Sequence, residues 1–197
     1  MSTHRPITRK RLVPSFVALV VFASGVMAQS KEAHGPSQAA ADVLREAAGA
    51  EIAFLPAGMI KDAGSSDDLA SLLKYPNDTL SVVELRGEQI RLALEKSVAL
   101  YPSAYDSFLQ LSNLEVTFRK DGAPENRVVS IIYNGAKIES NRAYSVAIPS
   151  TLARGGLGYF RIWDKKQIKK TIEGVSLEDV LKGKRATESP SRYRVLG

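Results

Sequence analysis

Apolar residues recur at two periods along this chain, and the switches between them mark its elements. Ile90, Leu94 and Val98 stand at i, i+4 and i+8, the buried stripe of a helix predicted from about 88 to 100. Ala41, Leu44 and Ala48 give a second, small-residue face over 38–48, with Ser37 as its N-cap and Gly49 as its stop. Runs rich in β-branched and apolar residues predict strands over 51–55, 79–86, 108–118, 127–133 and 142–148. Asp121-Gly122 and Asn134-Gly135 read as hairpin turns. Two short helices, 69–73 and 177–181, follow capping sequences, the second being Ser176-Leu177-Glu178-Asp179, and 193–196 predicts a last strand. Hairpins mixed with helices, without a regular strand–helix alternation, predict an α+β fold: a mixed sheet with antiparallel hairpins and packed helices.

The first residues follow a different pattern. Arg5, Arg9, Lys10 and Arg11 precede an apolar run over 12–23, then Ser24-Gly25 and Val26-Met27-Ala28. A basic start, a short apolar stretch and small residues before a cut describe a signal peptide, 1–28, cleaved after Ala28. The run is shorter than the roughly 20 residues of a membrane span; an uncleaved anchor is the competing reading. The expectation is a periplasmic or secreted protein with a linker over 29–38, one folded domain over 39–183 and a tail over 184–197.

The formal net charge is +6, and four of those charges belong to the basic start, so the remainder is only mildly basic. Lysine runs at Lys165-Lys166, Lys169-Lys170 and Lys182-Lys184-Arg185 raise an anionic partner, yet no interleaved aromatic supports nucleic-acid stacking. The chain has no cysteine and two histidines, His4 and His34, both ahead of the predicted domain. Ser-His-Asp and Cys-His chemistry are excluded there, and zinc sites are disfavoured. A carboxylate pair or an all-carboxylate Mg²⁺ site stays open without a motif behind it. No cofactor is expected.

One stretch invites a ligand reading. Gly155, Gly156 and Gly158 fall within four positions, followed by Tyr159 and Phe160. Glycine tolerates positive φ and close approach, so the loop suits either a tight turn or a ligand cradle. Its spacing fits neither a dinucleotide fingerprint nor a P-loop.

Taken in order, five segments resemble the C-terminal domain of the 5'-nucleotidase and UDP-sugar hydrolase family. They are Ala41–Arg45 with Ala50–Phe54, Gly58-Met59-Ile60-Lys61 (GGIR-like), Tyr75-Pro76-Asn77-Asp78 (PFGN-like), Leu109–Asn113 (LQVSG-like) and Gly155-Gly156-Leu157-Gly158-Tyr159 (GGDGY-like). The resemblance runs from about 39 to 181. It implies a nucleotide-holding domain whose partner metallophosphatase domain would carry the metals and catalytic histidines, so the chain would not be an enzyme on its own. The implied ligand positions are Lys61, Tyr75, Asp78, Thr151, Gly155, Gly156, Leu157 and Tyr159.

Several of those positions depart from the family pattern. The asparagine ahead of the GGIR loop falls on Pro56, and its arginine becomes Lys61, which lacks the planar fork. The two stacking phenylalanines fall on Pro76, beside Tyr75, and on Thr151; the PFGN asparagine becomes Asp78; the ribose-binding aspartate becomes Leu157. The expectation is an accessory binding module with an altered ligand or a protein partner, whose surface would include Leu157, Tyr159, Phe160 and Trp163. The alternative is the substrate-binding subunit of a split nucleotidase or phosphoesterase whose metallophosphatase domain is a separate chain; the expected partner is such a chain or another envelope protein. Nucleic acid is not expected as a partner.

Overall fold

The computed structural model describes residues 1, 34–61, 66–188 and 190–197. Residues 2–28 of the predicted signal peptide and 29–33 of the predicted linker lie outside them. The elements in chain order are α1 (Gly35–Ala48), β1 (Ile52–Pro56), β2 (Thr79–Arg86), α2 (Gly87–Val98), β3 (Leu109–Ser112), β4 (Glu115–Arg119), β5 (Val128–Tyr133), β6 (Ala136–Lys137), β7 (Ala143–Pro149), α3 (Ser150–Ala153), β8 (Ile168–Ser176), α4 (Leu177–Leu181) and β9 (Tyr193–Leu196), with short 3-10 turns between them. The fold is α+β, as the hairpin and helix pattern predicts.

Two mixed sheets form, one ordered β3-β1-β7-β2-β8 and the other β6-β5-β4-β9. The inner part of the five-stranded sheet is covered on both faces, so β1 and β7 carry apolar residues on both, while the edge strand β8 stays open to solvent. Ile52 and Phe54 of β1 face a core shared with α2 and the second sheet. Ala53 and Leu55, one residue out of phase, face a second core under α1, α4 and the 3-10 turn Leu69–Leu72. That alternation explains why all five residues of β1 are buried. Ala39, Ala40 and Ala41 let α1 lie close to the sheet, and Ile90, Leu94 and Val98 are fully buried.

Four features depart from the sequence expectation. α1 starts at Gly35, so Ser37 is buried inside the helix rather than capping it. His34 holds the N-cap position instead, its amide donating to Gln110 Oε1 (3.1 Å) and its Nδ1 2.7 Å from Ser37 Oγ. Gly87 is the first residue of α2 rather than a spacer, because a Cβ there would sit 2.2 Å from the Glu139 carbonyl oxygen. The predicted strand over 108–118 is two strands in different sheets. Asn113 turns at φ +59° and its side-chain amide donates to Glu51 O (2.9 Å), sending β4 away from β3. β8 carries no period-2 signature, since two register shifts against β2 scramble its alternation.

Candidate functional site

Strand polarity builds a ligand-sized cleft at one end of the five-stranded sheet. β1 and β7 run parallel, while β3 and β2 run against them, so the ends of β1 and β7 and the starts of β2 and β3 share one sheet edge. Connections at that edge enclose a cavity of about 550 Å³. Gly58 and Met59 come from the turn after β1, Lys74, Tyr75, Asn77 and Asp78 from the approach to β2, and Asp106 from the approach to β3. Thr151, Leu152, Gly156 and Leu157 follow β7.

The polar groups of this cleft differ in how far they are committed. Asp78 Oδ1 accepts from Thr79 N (2.8 Å) and Oδ2 from Thr151 N (3.2 Å), so its carboxylate ties the start of β2 to α3. Its carbonyl accepts from Leu177 N (2.7 Å), which adds α4 to the same brace. Asp106 contributes its carbonyl to Gly58 N (2.8 Å), and its side chain presses so close that a Cβ on Gly58 would stand 2.9 Å away. Tyr75 offers a ring with 53% of its surface open, with the Lys74 ammonium 5.9 Å from its centroid.

The glycine loop forms the opposite wall. Gly155 (φ +89°), Leu157 (φ +55°) and Gly158 (φ +78°) all take the left-handed conformation. Leucine rarely tolerates it, so Leu157 holds a backbone better suited to glycine, asparagine or aspartate. The loop is pinned nonetheless. Ser107 Oγ donates to Leu157 O (2.8 Å), Phe160 N donates to Gly155 O (3.1 Å), and a Cβ on Gly155 would lie 2.7 Å from Phe160 Cα. Beneath it, Lys96 of α2 places its ammonium over the rings of Tyr159 (5.4 Å) and Tyr105 (5.7 Å) and donates to Tyr105 OH (3.3 Å). Burial pushes the Tyr105 hydroxyl up, but hydrogen bonds from Ser107 and Lys96 and the Lys96 charge outweigh it and leave it below the usual tyrosine range.

Of the residues singled out in the sequence, Tyr75, Asp78, Thr151, Gly156 and Leu157 meet at the cleft. Gly155 shapes the loop without lining the cavity. Lys61 is exposed and does not line it either; Lys74 supplies the cleft's ammonium instead. Tyr159 is core: fully buried, stacked on Trp163 at 4.6 Å, and donating to Ser107 O (2.6 Å). Burial holds its hydroxyl well above the usual range. Trp163 is likewise 2% exposed, whereas Phe160 stands 63% exposed. Lys74, beside Tyr75 in its turn, and Asp106 join the cleft without being singled out by the sequence; Met59, in the GGIR-like segment but not among the implied ligand positions, lines it as well. Among the described residues no group of three His, Cys, Asp or Glu side chains is placed to hold a metal ion.

A profile of the 5'-nucleotidase C-terminal domain matches residues 21–164. Mouse 5'-nucleotidase is 32% identical over 107 residues, covering 50% of this chain and 18% of that protein. A trifunctional nucleotide phosphoesterase of Bacillus subtilis is 32% identical over 125 residues, covering 58% of this chain and 8% of that protein. The crystal structure of a 5'-nucleotidase precursor from Thermus thermophilus superposes on 86% of this chain with a TM-score of 0.67 at 23% identity. The chain spans 39% of that structure, and less than a fifth of the two relatives.

Proposed function

The chain belongs to the 5'-nucleotidase C-terminal domain family, and from that premise we propose that it is an exported accessory module, non-catalytic by itself, whose cleft binds a ligand other than the family's nucleotides or engages a protein. The observation that carries this reading is Leu157. It lines the cleft on a left-handed backbone that suits the aspartate of the resembling motif, but its side chain accepts no hydrogen bond. On the resemblance, the position of the ribose acceptor is held by a side chain that cannot accept a hydrogen bond. Tyr75 offers one aromatic face, and Thr151 stands where the resemblance puts the second. Each lost stack removes about 1–3 kcal/mol, and an unpaired ribose hydroxyl about 1–3 kcal/mol more.

Titration calorimetry with AMP and with UDP-glucose tests the reading. No heat of binding is expected with ligand below the millimolar range, and a micromolar Kd for either would overturn it. Export rests on the basic start and apolar run ahead of Ala28, and N-terminal sequencing of the mature protein checks the cleavage.

One observation favours a second reading. The chain matches only a minor part of each longer relative, so a separately encoded metallophosphatase could complete it as a two-chain nucleotidase. Copurification of such a chain, with hydrolysis appearing only in the mixture, would favour that arrangement over the accessory role.

A further inference from the structure

Among the described residues the most exposed aromatic side chain is Phe160, at 63%. It does not stand alone. Gln89 Nε2 of α2 donates to Ile162 O (2.9 Å), and Lys96, two turns on, reaches within 3.0 Å of where a Gly158 Cβ would be. The face of α2 from 89 to 96 therefore runs alongside 158–162, with Leu92 between those two contacts on the helix and Phe160 between them on the turn. Leu92 is 53% exposed, and Leu157, which precedes Phe160 in the same turn, is 37% exposed. Tyr159, between Leu157 and Phe160, points the other way into the core. Three exposed apolar side chains thus come from a helix and a turn that the Gln89–Ile162 bond and Lys96 hold together.

The patch is held rigid and lies in basic surroundings. The stacked and buried Tyr159 and Trp163 fix the backbone on either side of Phe160, and the Gly155 carbonyl holds its amide. Arg161 places its guanidinium 5.9 Å from the Phe160 ring, and Arg154, Lys165 and Lys166 are exposed on the same stretch. From 154 to 170 the chain carries six lysines and arginines against one acid, Asp164, whose carboxylate is engaged in capping Lys166 N (2.7 Å). Glu84, paired with Lys169, and Glu88, one turn before Leu92, are the acids nearby on β2 and α2. The sequence shows the lysine runs without an interleaved aromatic; the fold brings Phe160 and Leu92 to them.

We infer that this patch, Leu92, Leu157 and Phe160 with Arg154, Arg161 and Lys165-Lys166 around it, docks the protein on a bilayer surface bearing anionic headgroups. Exposed apolar side chains enter the headgroup boundary while the surrounding cations meet lipid phosphates, the two contributions that interfacial binding combines. An exposed phenylalanine accompanied by leucines rather than by further rings suits a lipid boundary better than a nucleic-acid strand, which stacks on successive aromatics. The inference shares Leu157 with the cleft but rests on Phe160, Leu92 and the cations around them, which do not line it.

Vesicle flotation of the full chain tests it, using phosphatidylcholine alone and phosphatidylcholine with about 30% phosphatidylglycerol, at low and at about 0.5 M salt. Binding at least about tenfold stronger to the anionic vesicles, and weakened by salt, is expected. The Phe160→Ala/Leu92→Ala pair should lower it about tenfold, Arg154→Glu/Arg161→Glu should abolish it, and Val129→Ser, at an exposed apolar position elsewhere, should leave it unchanged. Circular dichroism melts confirm that each variant is folded. Binding that ignores lipid charge and these substitutions would place the contact in the apolar run over 12–23 and overturn the inference. So would the absence of binding, or tighter binding to a single-stranded oligonucleotide that Phe160→Ala leaves intact.

Discussion

The two ends of β1 and β7 treat polar groups in opposite ways. At the end away from the cleft, Glu51 is saturated: it accepts from Arg142 Nη2 (2.6 Å), Tyr133 OH (3.2 Å), Ser145 N (2.9 Å) and Ser145 Oγ (3.2 Å). Arg142 in turn lies over the rings of Tyr144 (4.4 Å) and Tyr133 (5.3 Å), so one carboxylate clamps the central sheet to β5 of the other. At the cleft end the side chains of Lys74 and Tyr75 face a cavity, and the backbone carries the left-handed turns at Gly155, Leu157 and Gly158. One end of the same strands is spent on cohesion, and the other keeps groups and strain available for a ligand. That difference teaches where to look for function in a domain without catalytic histidines.

Substitutions at the two ends test the contrast. The largest effect is expected from Gly155→Ala, which adds a Cβ at φ +89° and 2.7 Å from Phe160 Cα. A loss of about 3 kcal/mol should lower Tm by roughly 6–12 °C in a thermal melt. A wild-type melt would show the loop to be pliable and remove the strained half of the comparison.

Glu51→Gln should cost about 2 kcal/mol in urea denaturation, since the Arg142 charge and the Ser145 donors lose their anionic acceptor. Burial pushes the Glu51 carboxyl up, but its hydrogen bonds from Ser145 and Tyr133 and the Arg142 charge leave it below the usual carboxylate range. The folded state therefore binds this proton less readily than the unfolded chain. The resulting stabilisation is present above the unfolded pKa of about 4.3 and declines as pH falls through the lower folded value. Denaturation series at pH 6 and pH 3 should show a smaller drop for Glu51→Gln than for the parent; equal drops would mean the clamp titrates elsewhere. The smallest expected effect has the opposite sign. Leu157→Gly should stabilise by up to about 1 kcal/mol by relieving the left-handed leucine, and a destabilised variant would show that Leu157 packing outweighs its backbone strain.

Elements that obey one period and one cap are legible in the sequence. β2 (Thr79–Arg86), α4 (Leu177–Leu181) and β9 (Tyr193–Leu196) occupy the predicted spans because a strand alternation, a serine cap and a terminal apolar run are local signals. β8 stays hidden because its bulges break the period. The 108–118 run reads as one strand because the turn at Asn113 depends on a bond to Glu51, 62 residues away. The cleft divides in the same manner. Leu157, Thr151 and Tyr75 are reached through resemblance to motifs, as is the segment that holds Met59, whereas Asp106 joins them only because the strand order brings β1 and β3 together. Lys61 shows the limit of carrying a charge across by position: the cavity takes its ammonium from Lys74.

Arg192 lends the molecule a further property. Its amide donates to Gln38 Oε1 (3.1 Å), and its guanidinium reaches Asp42 and the Leu111 carbonyl. The first helix and the end of β3 are thus fastened by a residue that follows every strand but β9 in the chain. Directly after it, β9 lies parallel to β4 and delivers Tyr193 between Phe108 and Phe118. A chain emerging from the ribosome makes every earlier strand before it has the piece that closes the main core. Until β9 docks, Phe108 and Phe118 lack the ring that lies between them, and α1 lacks the guanidinium that ties it to β3.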